Sequence, residues 1–70
     1  KMIKFDLKGQ EYIQMNDLLK VYGLVGTGGE AKIRILEGEV SYNGKVELQI
    51  RKKVRSGDVV EFNGEKIEVN

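Results

Sequence analysis

Apolar and polar residues alternate at the start of the chain. Ile3, Phe5 and Leu7 are set against Lys4 and Asp6, the period of a strand with one buried face. Lys8-Gly9 reads as a turn, and Glu11-Tyr12-Ile13 as a short second strand returning from it. The period then lengthens. Met15, Leu18, Leu19 and Tyr22 fall at i, i+3, i+4 and i+7, predicting a helix over Met15–Tyr22 with Asn16 as its N-cap and Gly23 ending it. A second helix is predicted over Gly28–Glu37, about ten residues and so about 15 Å long. Thr27 and Glu30 have the spacing of a capping box. The threonine oxygen can accept the Glu30 amide, and the Glu30 carboxylate can reach back to the Thr27 amide. Gly38 takes the left-handed position that closes the helix, and Glu30 and Arg34 stand i,i+4 in the favourable order.

After Gly38 the alternation returns. Val40 and Tyr42 run into Asn43-Gly44, a hairpin signal. A strict two-residue turn there would set Val40 opposite Glu47 and Tyr42 opposite Lys45. That conflicts with the alternation of Val46, Leu48 and Ile50, so a longer connection or a bulge is predicted. Asn63-Gly64 carries no such conflict and places Val60 opposite Ile67 and Glu61 opposite Lys66. The predicted fold class is α+β: two short consecutive helices packed on one side of a small, mostly antiparallel sheet.

The 70 residues allow one domain, 1–70, with a single small core; Met2 reads as the natural start, preceded by Lys1. The chain has neither cysteine nor histidine, which removes disulfides, the common zinc sites and any Cys–His or Ser–His catalytic pair. Ser41, Ser56 and Thr27 have no histidine to activate them, and no carboxylate pair has an acid–base context. No stretch has the length of a membrane span, and no signal pattern opens the chain. The expectation is a cytoplasmic, non-enzymatic monomer with no cofactor, no metal and no membrane partner. Gly26-Thr-Gly28-Gly-Glu-Ala31 satisfies the dinucleotide pattern G-x-G-x-x-A, yet a helix precedes it where a buried strand is needed. Gly28–Lys32 fails the spacing of a phosphate-binding P-loop, and Ile33 stands where Ser or Thr would hold magnesium.

Charge changes the picture more. The net charge is +1, but residues 31–55 hold seven basic and three acidic groups, +4, and residues 56–70 one basic and four acidic, −3. Binding to nucleic acid depends on a local basic surface, which that central block can supply. On a helical wheel, Glu30, Arg34 and Glu37 form a polar arc and Lys32 falls among Ala31, Ile33, Ile35 and Leu36. Lys32 reads either as a snorkelling side chain or as a cation aimed at a bound anion. Gly28 and Gly29 each cost up to ~1 kcal/mol against alanine in a helix, less in its first turn. They leave the helix start bare, so that an anion could approach its free amides. The run Arg51-Lys52-Lys53-Val54-Arg55 reads as a solvated edge that discourages strand pairing, or as a phosphate-contacting strip with Val54 turned inward.

Asn16-Asp-Leu-Leu, then Gly23, Thr27, Ala31, Ile35, Gly38-x-Val40-x-x-Asn43-Gly44 and Val54-Arg-Ser-Gly57-Asp58-Val59 together resemble the RNA-binding domain of ribosomal protein S-four, also called the alpha-L motif. The likeness runs from Gln14 to Val60. This domain occurs in pseudouridine synthases, tyrosyl-tRNA synthetases and small heat-shock RNA-binding proteins, and the chain looks most like small stand-alone bacterial members. The resemblance implies RNA as partner, ribosomal or transfer RNA, free or within a ribosomal particle, meeting the start of the second helix and the hairpin region after it. Two usual arginines are replaced, by Gln14 and by Gly28. Lys32, one turn beyond Gly28, is placed to supply the missing cation. The candidate RNA-binding residues are Thr27, Gly28, Gly29, Lys32, Arg51, Lys52, Lys53 and Arg55. The alternative is a protein-binding beta-grasp module that does not bind RNA. A sulfur carrier of that fold is excluded, because the chain ends Glu68-Val-Asn70 without the terminal Gly-Gly such chemistry needs.

Overall fold

In the computed structural model, which describes residues 2–70, nine elements follow one another. They are β1 (Met2–Phe5), β2 (Ile13–Gln14), α1 (Met15–Val21), α2 (Gly28–Leu36), β3 (Val40–Tyr42), β4 (Lys45–Val46), β5 (Lys53–Val54), β6 (Val59–Phe62) and β7 (Glu65–Val69). Five strands form one sheet in the order β1-β7-β6-β3-β4, antiparallel except for the β1–β7 pair; β2 and β5 form a separate antiparallel ribbon. Two consecutive helices packed on a mostly antiparallel sheet are the predicted α+β class. A beta-grasp fold would instead grip a single long helix.

One core joins the layers. Met15, Leu18 and Leu19 of α1 and Ala31 and Ile35 of α2 meet Val40, Val60, Phe62, Ile67 and Val69 of the sheet and Val54 of the ribbon, all buried. Tyr22 ties the end of α1 to the sheet edge. Its hydroxyl donates to the Lys4 carbonyl at 2.7 Å, and its ring meets Phe5 edge-on at 5.9 Å. Both helices close in the same way. Gly23 and Gly38 adopt φ of 66° and 78°, and each pair of following amides bonds back to the last turn: Gly23 to Lys20, Leu24 to Leu19, Gly38 to Ile35 and Glu39 to Arg34. Tyr22 and Glu37 are the C-cap residues, so each helix is one residue shorter than its periodicity suggests.

The Asn63-Gly64 hairpin has the predicted register, Val60 opposite Ile67 and Glu61 opposite Lys66. Other expectations are corrected. The opening segments do not pair as a hairpin: β1 lies parallel to β7, in register Ile3 with Ile67, while β2 pairs with β5. Asn16 is not a cap. Gln14 occupies the cap position without a side-chain bond, and the Met15 and Asn16 amides donate to the Lys52 and Ile50 carbonyls at 2.8 and 3.2 Å. Asn43-Gly44 makes the strict two-residue turn after all, with Tyr42 opposite Lys45 and Ser41 opposite Val46. The alternation that argued against it is no strand signal, because β4 stops at Val46, and Val46 and Leu48 are exposed.

Candidate nucleic-acid interface

The start of α2 has the predicted cap with one change of partner. Thr27 Oγ1 accepts the Glu30 amide at 3.1 Å, whereas the Glu30 carboxylate accepts the Gly26 amide at 2.7 Å rather than that of Thr27. Thr27, Gly28 and Gly29 are exposed. A methyl group at Gly28 would meet nothing within 4 Å, and one at Gly29 only Thr27 Oγ1 at 3.8 Å. Neither glycine has a positive φ, so the fold itself requires no glycine at either position.

Lys32 does not sit in an apolar groove. Helix α2 buries only Ala31 and Ile35, while Ile33 and Leu36 are 55% and 54% exposed and flank an exposed Lys32. The wheel misleads because the helix covers the core with a narrow two-residue stripe. Among the described residues Lys32 makes no ion pair. Arg34, by contrast, is held by three carboxylates: Glu39 at 3.3 Å, Glu30 at 3.7 Å and Glu37 at 3.8 Å. The Glu37 carboxyl is raised above its ordinary pKa, first by its hydrogen bond with Glu39.

The basic run is displayed as a strip. Val54 is fully buried and Lys53 and Arg55 point out on either side of it, with Arg51 exposed and Lys52 half-buried. Sequence reasoning missed the two tyrosines that hold these cations. Lys53 Nζ lies 5.0 Å and Arg55 Cζ 5.6 Å from the centre of the Tyr12 ring, and Lys52 Nζ lies 4.9 Å from that of Tyr42. Such contacts are worth about 0.5–1 kcal/mol at exposed sites, enough to restrict long side chains before a ligand arrives. The available signal for Tyr12 was its place just before Ile13, which begins β2 and packs against the core, so that alternation turns Tyr12 the other way.

A carboxylate fastens the strip to the hairpin. Asp58 accepts from the Tyr42 hydroxyl at 2.6 Å, the Arg55 amide at 2.8 Å and Asn43 Nδ2 at 3.0 Å, and Asn43 Oδ1 accepts the Val59 amide at 2.8 Å. The motif segments Val40–Gly44 and Val54–Val59 are thus one hydrogen-bonded unit. Burial pulls the Asp58 pKa upward, but the bonds from Tyr42, Arg55 and Asn43 and the Lys52 charge outweigh it and hold the carboxyl below its ordinary value. The same bond pushes the Tyr42 phenol up to about 12, with burial and the Asp58 charge adding to it.

The eight candidate residues therefore fall into two groups, Thr27–Gly29 with Lys32 and Arg51–Arg55. Among the described residues no hydrogen bond, ion pair or ring contact joins the groups directly. Helix α1 touches both, packing on α2 and taking the carbonyls of Ile50 and Lys52 at its first amides. Gln14 pairs with Lys53 across the ribbon and lines an open cleft of about 460 Å³ with Gln10, Glu11, Tyr12, Ile13 and Asp17. Among the described residues no group of carboxylates is placed to hold a metal ion, and no helix is long and apolar enough to cross a membrane.

Comparison with known proteins matches this arrangement to a family. The family model described as "S4 domain" matches residues 5–70. The chain belongs to the S4 domain family. It is 38% identical over 68 residues to YbcJ of Escherichia coli (strain K12), covering 97% of each chain, and equally similar to YbcJ of Shigella flexneri. A solution structure of E. coli YbcJ, described there as revealing an alpha-L motif involved in RNA binding, superposes with a TM-score of 0.74 at 38% identity, covering 99% of this chain and 87% of that one.

Proposed function

We propose that this S4-domain protein binds structured RNA without catalysing a reaction on it. The observation that carries this reading is the strip around Val54: Lys53 and Arg55 displayed on one tyrosine and Lys52 on another, fastened by Asp58 to the Asn43-Gly44 hairpin. Membership of the family supports it, as does the alpha-L motif of the YbcJ structure. Phosphates neutralised by such a strip release counterions, which supplies affinity without reading sequence. The bare start of α2 adds free amides and the exposed Lys32 ammonium, a second place for a phosphate.

The RNA is ribosomal or transfer RNA, free or within a ribosomal particle, met by a cytoplasmic monomer. Gln14 and Gly28 weaken two positions where the family usually has arginine, and Lys32 compensates from one turn further along α2. Crosslinking in cells followed by sequencing of the attached RNA tests this. Enrichment of helical segments of ribosomal or transfer RNA is expected. Recovery of no RNA above a control in which Arg51, Lys52, Lys53 and Arg55 are all replaced by glutamine would overturn it.

A further inference from the structure

Next to the strip, the cleft beside Tyr12 has a chemistry that phosphate binding does not explain. Its lining residues are an aromatic one, Tyr12, two that carry carboxamides, Gln10 and Gln14, two that carry carboxylates, Glu11 and Asp17, and Ile13. It is an open recess of about 460 Å³, a place for a group to lie against the surface rather than a pocket that encloses one. Two carboxylates repel a phosphate, so the cleft itself is not an anion site. They are acceptors, however, and the carboxamides both donate and accept. The phosphate-seeking groups stand next to the cleft: Lys53 and Arg55 both lie over Tyr12, the residue shared by cleft and strip. A shallow site with an aromatic wall, polar hydrogen-bonding groups and cations at its border matches one nucleotide, its base inside and its phosphates outside.

We propose that this cleft holds an unpaired nucleobase of the bound RNA against Tyr12, with Lys53 and Arg55 moving off the ring onto the flanking phosphates as the base stacks. This rests on the RNA-binding reading and deepens it: the target is a helix interrupted by an unpaired nucleotide. The carboxylates favour a base that presents an exocyclic amine, guanine first, because its adjacent N1–H and N2–H match one carboxylate. Uracil has no amine to offer. Gln14 in the lining then gains a role, since its neutral carboxamide can both donate to and accept from a base edge.

The test measures dissociation constants for a set of stem RNAs that are fully paired or carry a single unpaired G, A, C or U. The protein is expected to bind the unpaired-G stem roughly 5- to 150-fold more tightly than the paired stem, the span of stacked-aromatic effects. Tyr12→Leu should bring that ratio close to one, and Tyr12→Phe should restore it. Asp17→Asn, at an exposed position of α1, should reduce the preference for G over U. Equal affinity for all five stems overturns this inference and leaves RNA binding standing. So does an equal loss on every stem with Tyr12→Leu, which would assign Tyr12 to holding Lys53 and Arg55 alone. Binding to none of the stems contradicts RNA binding itself and this site with it.

Discussion

The Tyr42 hydroxyl donates to Asp58 Oδ2 at 2.6 Å, across sixteen residues of sequence, and this bond ties the hairpin to the segment that carries the basic strip. Asp58 also holds the Arg55 amide at 2.8 Å, so the strip's last cation is positioned from the same carboxylate. Replacing Asp58 by alanine leaves three donors without their acceptor. Each hydrogen bond contributes about 1 kcal/mol net, and a buried orphan costs about 1–3 kcal/mol. Only the Tyr42 hydroxyl is part-buried and water can reach the other two donors, so Asp58→Ala should destabilise by about 1–3 kcal/mol and Tyr42→Phe by about 1 kcal/mol in urea denaturation. The double variant should lose less than the sum, since both remove the same bond.

The same pair sets a pH window. The Asp58 carboxyl is held below its ordinary value, so its stabilisation is complete above the unfolded carboxylate pKa of ~3.9 and is lost as pH falls through the lower folded value. Tyr42 is raised to about 12, so its contribution is complete below the ordinary phenol value and is lost as pH rises toward 12. Spectrophotometric titration should show one phenol ionising near 12, and Tyr42→Phe should remove it.

Glycines at the ends of α2 should respond oppositely to alanine. Gly28 has open space and ordinary φ, so Gly28→Ala should leave stability unchanged or raise it by up to ~1 kcal/mol through helix propensity. Gly38 has a φ of 78°, and Gly38→Ala should cost about 1 kcal/mol. RNA affinity should fall for Gly28→Ala if a phosphate approaches the bare amides, so a stable variant with weaker binding separates function from folding.

Lys32 and Arg34 lie two residues apart on one helix, yet only Arg34 is held by carboxylates. Lys32→Ala should weaken RNA binding and lower the salt slope by about one contact, ~0.7–0.9, with no loss of thermal stability. Arg34→Ala should leave RNA affinity nearly unchanged. Equal losses from both would indicate diffuse attraction rather than a site, and a stability loss from Lys32→Ala alone would make it a packing residue.

What could be read along the chain was what is decided locally. The Asn63-Gly64 register, the Thr27 cap and the closures at Gly23 and Gly38 depend on neighbours in sequence, and all were legible. The partner of β1 was not, because pairing Ile3 with Ile67 joins opposite ends of the chain. Asn16 looked like a cap because its type favours that position, but carbonyls from Ile50 and Lys52 reach the helix start first. The helical wheel also grouped Ile33 and Leu36 with Ala31 and Ile35 around Lys32, whereas α2 buries only Ala31 and Ile35. In the candidate site, the basic run and the inward Val54 were legible. The tyrosines that hold the run were not, since Tyr12 and Lys53 come together only when β2 pairs with β5.

The most direct measurement is a titration of structured RNA at several salt concentrations, comparing the protein with a variant in which Arg51, Lys52, Lys53 and Arg55 are glutamine. If the surface neutralises about four phosphates, the log–log slope of affinity against salt should be roughly −3 to −4, and the variant should lose most of both affinity and slope. A slope near zero, no binding at micromolar protein in low salt, or an undiminished slope in the variant would contradict an electrostatic RNA surface on this strip.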